Sequence, residues 1–117
     1  MSGFILKVAT CQFAVSSSIK RNARAICEFL RKAKKSKVDI VHFSECALSG
    51  YVGTDFPNFD GYDWGLLKDE TEKIMALAAK LGFWIVLGST HRLTEPNKPY
   101  NSLYIINPKG KIVDRYD

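Results

Sequence analysis

The sequence predicts an α/β fold in which a mixed β-sheet carries two helices on one face. Apolar segments with the length of strands alternate with two segments of helical periodicity, in the order β-α-β-α-β-β-β. The first three strands are connected through helices, whereas the last two are connected by a tight turn. With 117 residues, the chain has the length of one domain rather than two.

The first part of the chain is predicted to form a βαβ unit. Phe4–Phe13 is the first strand, and because it is mostly apolar we expect it to be covered on both faces. The serines at 16–18 offer an N-cap to a helix that ends near Ser36. The apolar stripe of this helix is Ile19, Ala23, Ile26, Cys27, Leu30 and Ala33. Val38–Phe43 is the second strand, and a right-handed crossover makes it parallel to the first.

The second part of the chain adds one helix and three strands. The helix runs from about Leu66 to Leu81, with Gly82 as its C-cap. Its apolar face is formed by Ile74, Leu77, Ala78 and Leu81. The strands are Phe83–His91, Tyr100–Asn107 and Lys111–Tyr116. The last two form a hairpin, because Pro108 presets φ and Gly110 accepts a left-handed φ.

Two helices cover one face of this sheet, and these residues offer no partner for the other face. We therefore expect apolar side chains of the strands to be exposed there. The expected residues are Val8, Ile40, Val86 and Ile106, or their neighbours.

The composition is typical of a globular protein, with 46% hydrophobic residues. No apolar run reaches the roughly 18 residues of a membrane helix, and residues 1–7 lack the pattern of a secretory signal. The three cysteines are odd in number and contain no C-x-x-C pair, which indicates reduced thiols. We therefore expect a cytoplasmic protein with no membrane partner.

The net charge of +5 is concentrated in one segment, since 8 of the 17 basic residues lie between Lys20 and Lys37. One interpretation is a nucleic-acid-binding patch. The other is a solvated helix face, because the basic residues follow helical spacing opposite the apolar stripe. Only Phe29 is aromatic there, so single-stranded bases would find no stacking platform. We expect the solvated face and no nucleic-acid partner.

The candidate site lies where parallel strands end, since ligands bind at the carboxyl ends of strands in open α/β sheets. Residues 12–16 follow the first strand, and Ser44-Glu45-Cys46 follows the second. Glu45 is the candidate functional residue, with a surface carboxylate or a loop cap as the alternative. The loop that follows, residues 44–65, is long enough to suggest a function. Its aromatic residues either line a pocket or form a small satellite core. We expect the satellite core for most of them, namely Tyr51, Phe56, Phe59, Tyr62 and Trp64.

The sequence predicts neither a cofactor nor a metal site. Gly50-x-x-Gly53 is neither a dinucleotide fingerprint nor a P-loop. His42 and His91 are too few for a metal cluster, and His42, inside an apolar strand, is predicted to be a core histidine. The sequence also contains no G-x-S-x-G nucleophile elbow.

Four segments, taken in order, resemble the nitrilase superfamily of carbon–nitrogen hydrolases. They are VATCQF at 8–13, HFSECALSGY at 42–51, WIVLGSTHR at 84–92 and YNSLYIINPKGKIVDRYD at 100–117. In order, they resemble the family's first strand, the segment around its catalytic glutamate, its third strand, and its N-[ST] strand with the turn that leads to the catalytic lysine.

The resemblance implies a four-layer αββα sandwich, of which residues 1–117 are the N-terminal part. It also implies an enzyme in which a thiolate attacks an amide or nitrile carbon and water hydrolyses the covalent intermediate. Glu45 would be the general base, and Tyr51, in the same segment, would bind substrate. Because burial makes a carboxylate a better base, we expect Glu45 to be largely withdrawn from solvent. The implied partners are a small-molecule amide or nitrile and further copies of the chain in a homo-oligomer.

This chain departs from the family's pattern in two respects. Ser44 stands where proline is common, and the sequence stops at Asp117, before the expected lysine and the nucleophilic cysteine that follows it. None of Cys11, Cys27 and Cys46 matches the nucleophile. The last of these follows the glutamate directly, but neighbours in an extended segment point opposite ways. Two interpretations remain: an amidase-type hydrolase represented by an incomplete chain, and a catalytically silent fragment that binds a subunit through its uncovered sheet face.

Overall fold

A computed structural model describes residues 3–92 and 98–117 of the chain. The elements are β1 (Val8–Cys11), α1 (Ile19–Lys35), β2 (Ile40–Phe43), α2 (Trp64–Leu81), β3 (Trp84–His91), β4 (Tyr100–Ile106) and β5 (Ile112–Tyr116). They form one sheet of order β1-β2-β3-β4-β5. The first three strands are parallel, and β4 and β5 are added antiparallel. The predicted element order and the mixed α/β sheet are confirmed.

Helix α1 is amphipathic, as predicted, and begins and ends close to the predicted residues. The Ser18 hydroxyl accepts the backbone N–H of Arg21 at 3.2 Å and caps the N-terminus. Ser36 is the C-cap. The buried residues are Ile19, Asn22, Ala23, Ile26, Leu30 and Ala33. The eight basic side chains between Lys20 and Lys37 are all exposed on the opposite side of the helix.

Helix α2 begins at Trp64, two residues before the predicted start. The reason is local, because the Asp63 carboxylate accepts the backbone N–H of Leu66 at 2.9 Å and caps the helix. Gly82 ends the helix at φ 77°, as predicted. The Lys34 ammonium donates to the carbonyl of Leu81 at 2.8 Å and so joins the end of α2 to α1. Within residues 3–92 and 98–117, no helix has both the length and the apolar composition of a membrane span.

The core lies between the two helices and one face of the sheet. The alternation of the strands places Val41 and Phe43 of β2, Ile85 and Leu87 of β3, and Ile106 of β4 on this face, all fully buried. The helices contribute Ile26, Leu30, Ile74 and Ala78 to the same cluster. Both helices therefore cover the same face, as the sequence predicts.

The opposite face of the sheet is uncovered by the described residues. The expectation that the first strand is covered on both faces is wrong, because β1 is an edge strand and the helices cover only one side. Val8 is 50% exposed, Phe4 is 89% exposed, and Ile5 and Leu6 before the strand are also exposed. Strand β1 is correspondingly short, with pairing limited to four residues.

The register of the strands decides which residues lie on the uncovered face. Val8 pairs with Ile40, and Ile40 with Trp84, so these three share a face. Val86 shares it too, and its partner in β4 is Ile105. The expectation that Ile106 lies on the uncovered face is wrong, because Ile106 pairs with the core residue Ile85. Its neighbour Ile105 lies on the uncovered face instead.

His42 also lies on the uncovered face. Its register partners are Thr10 and Val86, and it is half-buried. The prediction of a core histidine is therefore wrong, because the apolar strand that contains it has only one of its two faces covered.

The hairpin between β4 and β5 forms as predicted. Gly110 has φ 79°, and its N–H donates to the carbonyl of Asn107 at 2.9 Å. The Asn107 side chain accepts the backbone N–H groups of Lys109 and Lys111, each at 3.0 Å. A Cβ on Gly110 would lie 2.5 Å from the carbonyl oxygen of Met75, so the turn packs directly on α2.

We expect the uncovered apolar face to drive association of this chain. Exposed apolar patches of more than a few hundred Å² favour self-association. Trp84→Lys should therefore reduce binding of a hydrophobic dye and shift size-exclusion elution towards a monomer. Ala76→Lys adds the same charge on the exposed side of α2 and should change neither property. A dye-silent monomer before any substitution would contradict the prediction.

Candidate active site

Glu45 lies at the carboxyl end of β2, as the sequence predicts. Cys11 pairs with Phe43, so the ends of β1 and β2 are adjacent and residues 12–16 lie beside the segment that contains Glu45. The expectation that Glu45 is withdrawn from solvent is wrong for this chain, in which its side chain is exposed. It lies towards the uncovered side of the sheet, where the described residues provide no second layer.

The segment that contains Glu45 is held against β3 at Gly88. Leu87 and Ser89 face the helices, so Gly88 faces the uncovered side. A Cβ at Gly88 would overlap the carbonyl oxygen of Ser44 and would lie 2.8 Å from the backbone nitrogen of Cys46. The N–H of Leu48 donates to the Gly88 carbonyl at 3.1 Å. Glycine is therefore required here, since any side chain would push the Glu45 segment away from the sheet.

Residues 44–49 form a tight turn and not an extended segment. Ala47 N–H donates to Ser44 O at 3.2 Å, and Cys46 has φ 52°, in the left-handed region. The premise that Glu45 and Cys46 point opposite ways along an extended backbone is therefore wrong. The turn lets both side chains reach the same neighbour, Asn101.

Asn101 contacts Glu45 and Cys46 at the same time. It lies in β4 opposite Thr90, which puts it on the uncovered side of the sheet. Its Nδ2 donates to Oε1 of Glu45, and its Oδ1 lies 3.4 Å from Sγ of Cys46. The sequence reasoning did not select this residue as functional, although it is the asparagine of the N-[ST] strand motif, and that motif was the available signal.

Asn22 ties the loop after β1 to the turn after Glu45. Its Nδ2 donates to the carbonyls of Ser16 at 2.8 Å and Leu48 at 3.1 Å. Its Oδ1 accepts hydrogen bonds from the backbone N–H of Ser16 at 2.9 Å and from the Ser16 hydroxyl at 3.2 Å. The amide is 1% exposed and has both ends paired, so it holds two strand-end loops together from the first helix.

The thiols of the chain are not poised for nucleophilic attack. All three cysteines are free. Burial raises the pKa of the Cys46 thiol, although hydrogen bonds from Ser49 and Thr90 partly oppose it. Burial also raises the pKa of Cys11 and of Cys27. Burial therefore disfavours the thiolate form of each of these cysteines.

The aromatic residues of the long loop form a satellite cluster, as expected for most of them. Phe56, Phe59, Tyr62 and Trp64 have ring centroids 4.7–5.5 Å from their neighbours in the cluster. The Tyr62 hydroxyl donates to the Ser49 carbonyl at 2.8 Å and anchors the cluster to the turn. Tyr51 stands apart and is 42% exposed.

A small cavity of about 100 Å³ lies between this loop and β4. Tyr51, Cys46, Thr90 and Asn101 are among its lining residues. The backbone N–H of Tyr51 donates to the Asp55 carboxylate at 2.7 Å, which fixes the turn that carries the tyrosine. The structure therefore brings Tyr51, Cys46 and Asn101 together around one cavity, whereas Glu45 does not line it.

A larger cavity, of about 700 Å³, lies between α2 and the strands β3 to β5, away from Glu45. The His91 Nδ1 and the Tyr104 hydroxyl hydrogen-bond across it at 3.0 Å. Burial, and secondarily Arg115, lowers the pKa of His91. In the described ranges, no three His, Cys, Asp or Glu side chains come together in a way that would hold a metal ion.

Comparison with known proteins shows which family this arrangement belongs to. The carbon–nitrogen hydrolase family matches residues 7–117, nearly the whole chain. The chain belongs to the carbon–nitrogen hydrolase family. It is similar to the omega-amidase NIT2 of Mus musculus, with 27% identity over 110 residues, and to the omega-amidase NIT2-A of Xenopus laevis, with 26% identity. Each alignment covers 94% of this chain and 38% of the relative, so the chain spans about two-fifths of their length.

Solved structures share the fold of this carbon–nitrogen hydrolase chain. An amidase from Nesterenkonia sp. superposes with a TM-score of 0.80 at 15% identity, covering 99% of this chain and 43% of that one. The NitFhit protein of C. elegans superposes with a TM-score of 0.79 at 23% identity, covering 97% and 28%. The mixed sheet with two helices on one face is therefore an arrangement that these larger proteins contain.

We expect Gly88→Ala to destabilise the fold and displace the Glu45 segment. A methyl group there meets backbone atoms, which cannot move aside as a flexible side chain would, and overpacking of this kind costs about 1–3 kcal/mol. Gly65→Ala is the matched control, since its Cβ would make an ordinary 3.6 Å contact with the Asp63 carboxylate. Urea denaturation should show a lower midpoint for the first variant only. Equal midpoints would contradict the seating of residues 44–46 on Gly88.

Proposed function

We propose that this chain is the N-terminal part of an amidase-type hydrolase that cleaves a non-peptide carbon–nitrogen bond, and that Glu45 is its general base. The observation that carries the proposal is the position of Glu45. It follows a parallel strand, in a turn seated on Gly88, within the segment that resembles the family's catalytic glutamate segment. Family membership supplies the reaction class.

The proposed mechanism has two chemical steps. A cysteine outside these 117 residues loses its proton to the glutamate and attacks the carbonyl carbon of an amide, and the glutamate's proton then leaves with the amine. Water, deprotonated by the same glutamate, next attacks the carbonyl carbon of the acyl-enzyme, the bond from carbon to sulfur breaks, the acid leaves, and the glutamate returns the proton to the thiolate. A lysine beyond Asp117 would stabilise the oxyanion in both steps. Of these three groups, residues 1–117 supply the glutamate.

The substrate we favour is a small-molecule amide rather than a nitrile. The support is the nature of the relatives, which are omega-amidases with matches over nearly the whole chain. Tyr51 lines the small cavity beside Asn101, and we propose that it contacts the substrate. Its side chain lines the cavity and is 42% exposed, so a bound molecule could contact it.

The uncovered apolar face supports the domain assignment. A second sheet packed on Val8, Ile40, Trp84 and Val86 would complete the αββα sandwich and withdraw Glu45 from water. A second candidate function rests on the same face, namely a catalytically silent module that binds a homologous subunit there. We favour the enzyme because the turn that contains Glu45 is held by specific contacts with Gly88 and Asn101.

We further propose that the protein is cytoplasmic, because free thiols such as these persist there, and that it forms a homo-oligomer.

We expect Glu45→Gln to abolish most amide hydrolysis by the complete gene product. The amide of glutamine cannot accept the proton, and loss of a general base typically costs about 10²–10⁴-fold in rate. Glu28→Gln makes the same change on the exposed face of α1 and should leave turnover intact. Release of ammonia from a panel of short aliphatic amides measures both variants. Near-normal turnover by the Glu45 variant would refute its role as the base.

A further inference from the structure

The side chain of Asn101 joins two groups that are adjacent in sequence, the carboxylate of Glu45 and the thiol of Cys46. We infer that Asn101 is the positioning residue of Glu45, and that the Cys46 thiol in turn fixes the orientation of the Asn101 amide. This inference rests on the proposed function of Glu45 as the base. It assigns to Cys46 a role other than that of a nucleophile.

The two contacts admit only one orientation of the amide. The carboxylate of Glu45 only accepts hydrogen bonds, so it must face the Nδ2 donor of Asn101. The opposite orientation would place Oδ1 against the carboxylate, with two acceptors facing one another. The Cys46 thiol donates to Oδ1 at 3.4 Å and so favours the productive orientation. A thiol that stays protonated suits this task, and burial keeps Cys46 in that form.

The Asn101 amide is attached by a short side chain to a paired strand, whereas the Glu45 carboxylate is at the end of a longer side chain. Asn101 pairs with Thr90 in the β3–β4 ladder. Cys46 is buried in the turn over Gly88, and its carbonyl accepts the N–H of Gly50 at 2.9 Å. Glu45 and Asn101 are both exposed, but the side chain of Glu45 is the longer of the two. One hydrogen bond from a fixed donor therefore restricts an otherwise mobile carboxylate, which is how a base is held ready to take a proton.

The charged and titratable groups around Cys46 are acidic. Glu45 and Asp55 both disfavour the thiolate, whereas Ser49 and Thr90 are neutral hydrogen-bonding neighbours. A new carboxylate at position 101 would therefore act in the same direction as the groups already present. This gives a prediction with a definite sign for two different measurements.

The first measurement is hydrolysis by the complete gene product carrying Asn101→Asp. Aspartate keeps the shape and the acceptor towards Cys46 but replaces the donor towards Glu45 with a second carboxylate oxygen. We expect kcat to fall about 10²-fold with KM nearly unchanged. The acid limb of the kcat/KM profile should move to higher pH, because two neighbouring carboxyl groups resist joint ionisation. Asn107→Asp is the control, since the side chain there only accepts hydrogen bonds, and it should change neither property.

These kinetic outcomes separate the two claims. Normal kcat and an unshifted acid limb in Asn101→Asp, with Glu45→Gln inactive, would overturn the positioning role and leave the base in place. Full activity of Glu45→Gln would overturn the proposed function itself.

The second measurement does not require turnover. In the complete gene product with Cys11→Ala and Cys27→Ala, the rate of Cys46 alkylation by iodoacetamide is followed with pH by mass spectrometry of the peptide that contains Cys46, because the proposed nucleophilic cysteine also reacts. Asn101→Ala should accelerate alkylation, because it removes the acceptor and opens the cavity, whereas Asn101→Asp should slow it, because the negative charge disfavours the thiolate. Opposite changes would support the contact. Equal acceleration by both variants, or no change in either, would overturn it, since a purely structural role predicts loosening in both.

Discussion

The contact between the backbone of residues 44–46 and the bare Cα of Gly88 is the constraint on which the site depends. The Glu45 segment leaves β2 and crosses directly over the neighbouring strand, a path that only a glycine at the crossing point leaves open. The left-handed Cys46 and the hydrogen bond from Leu48 to Gly88 hold that path. Gly88 leaves room for the turn, and the turn orients the side chains of Glu45 and Cys46. The neighbouring strand β4 then provides Asn101, which contacts both of them.

Much of this architecture is written in local patterns. The two amphipathic helices, the αL glycine after α2 and the Asn107–Gly110 turn follow from spacing and from the backbone preferences of a few residues, and each was predictable within a few positions. The strand faces were harder to predict, because periodicity shows that residues alternate but not which side is covered. Ile106 illustrates this limit. Its side was set by its pairing with Ile85, a contact between strands that no single strand encodes.

The residues of the candidate site also differ in how far the sequence predicts them. Glu45 was predictable from its place after an apolar strand and from the surrounding motif. Its exposure was not predictable, because burial at this position depends on a layer that the described residues do not provide. The N-[ST] motif was the only sequence signal for Asn101, since the two contacts that make it important join residues more than 50 positions apart in the sequence. Gly88 was a recognisable signal in the sequence, because a glycine inside a strand often marks a close approach of another backbone segment.

The packing of the β4–β5 turn on α2 has a mechanical consequence. Gly110 lies against the carbonyl of Met75, so the turn of the hairpin is packed directly on the helix surface. At the far end of β5, the Asp117 carboxylate accepts from the hydroxyl of Ser102 and pairs with Arg115 at 2.9 Å. Strand β5 is thus held near its start by the contact of the turn with α2 and near its end by the contact with Ser102 of β4. Because the turn of the hairpin is packed on α2, a displacement of that helix would move β5 together with it.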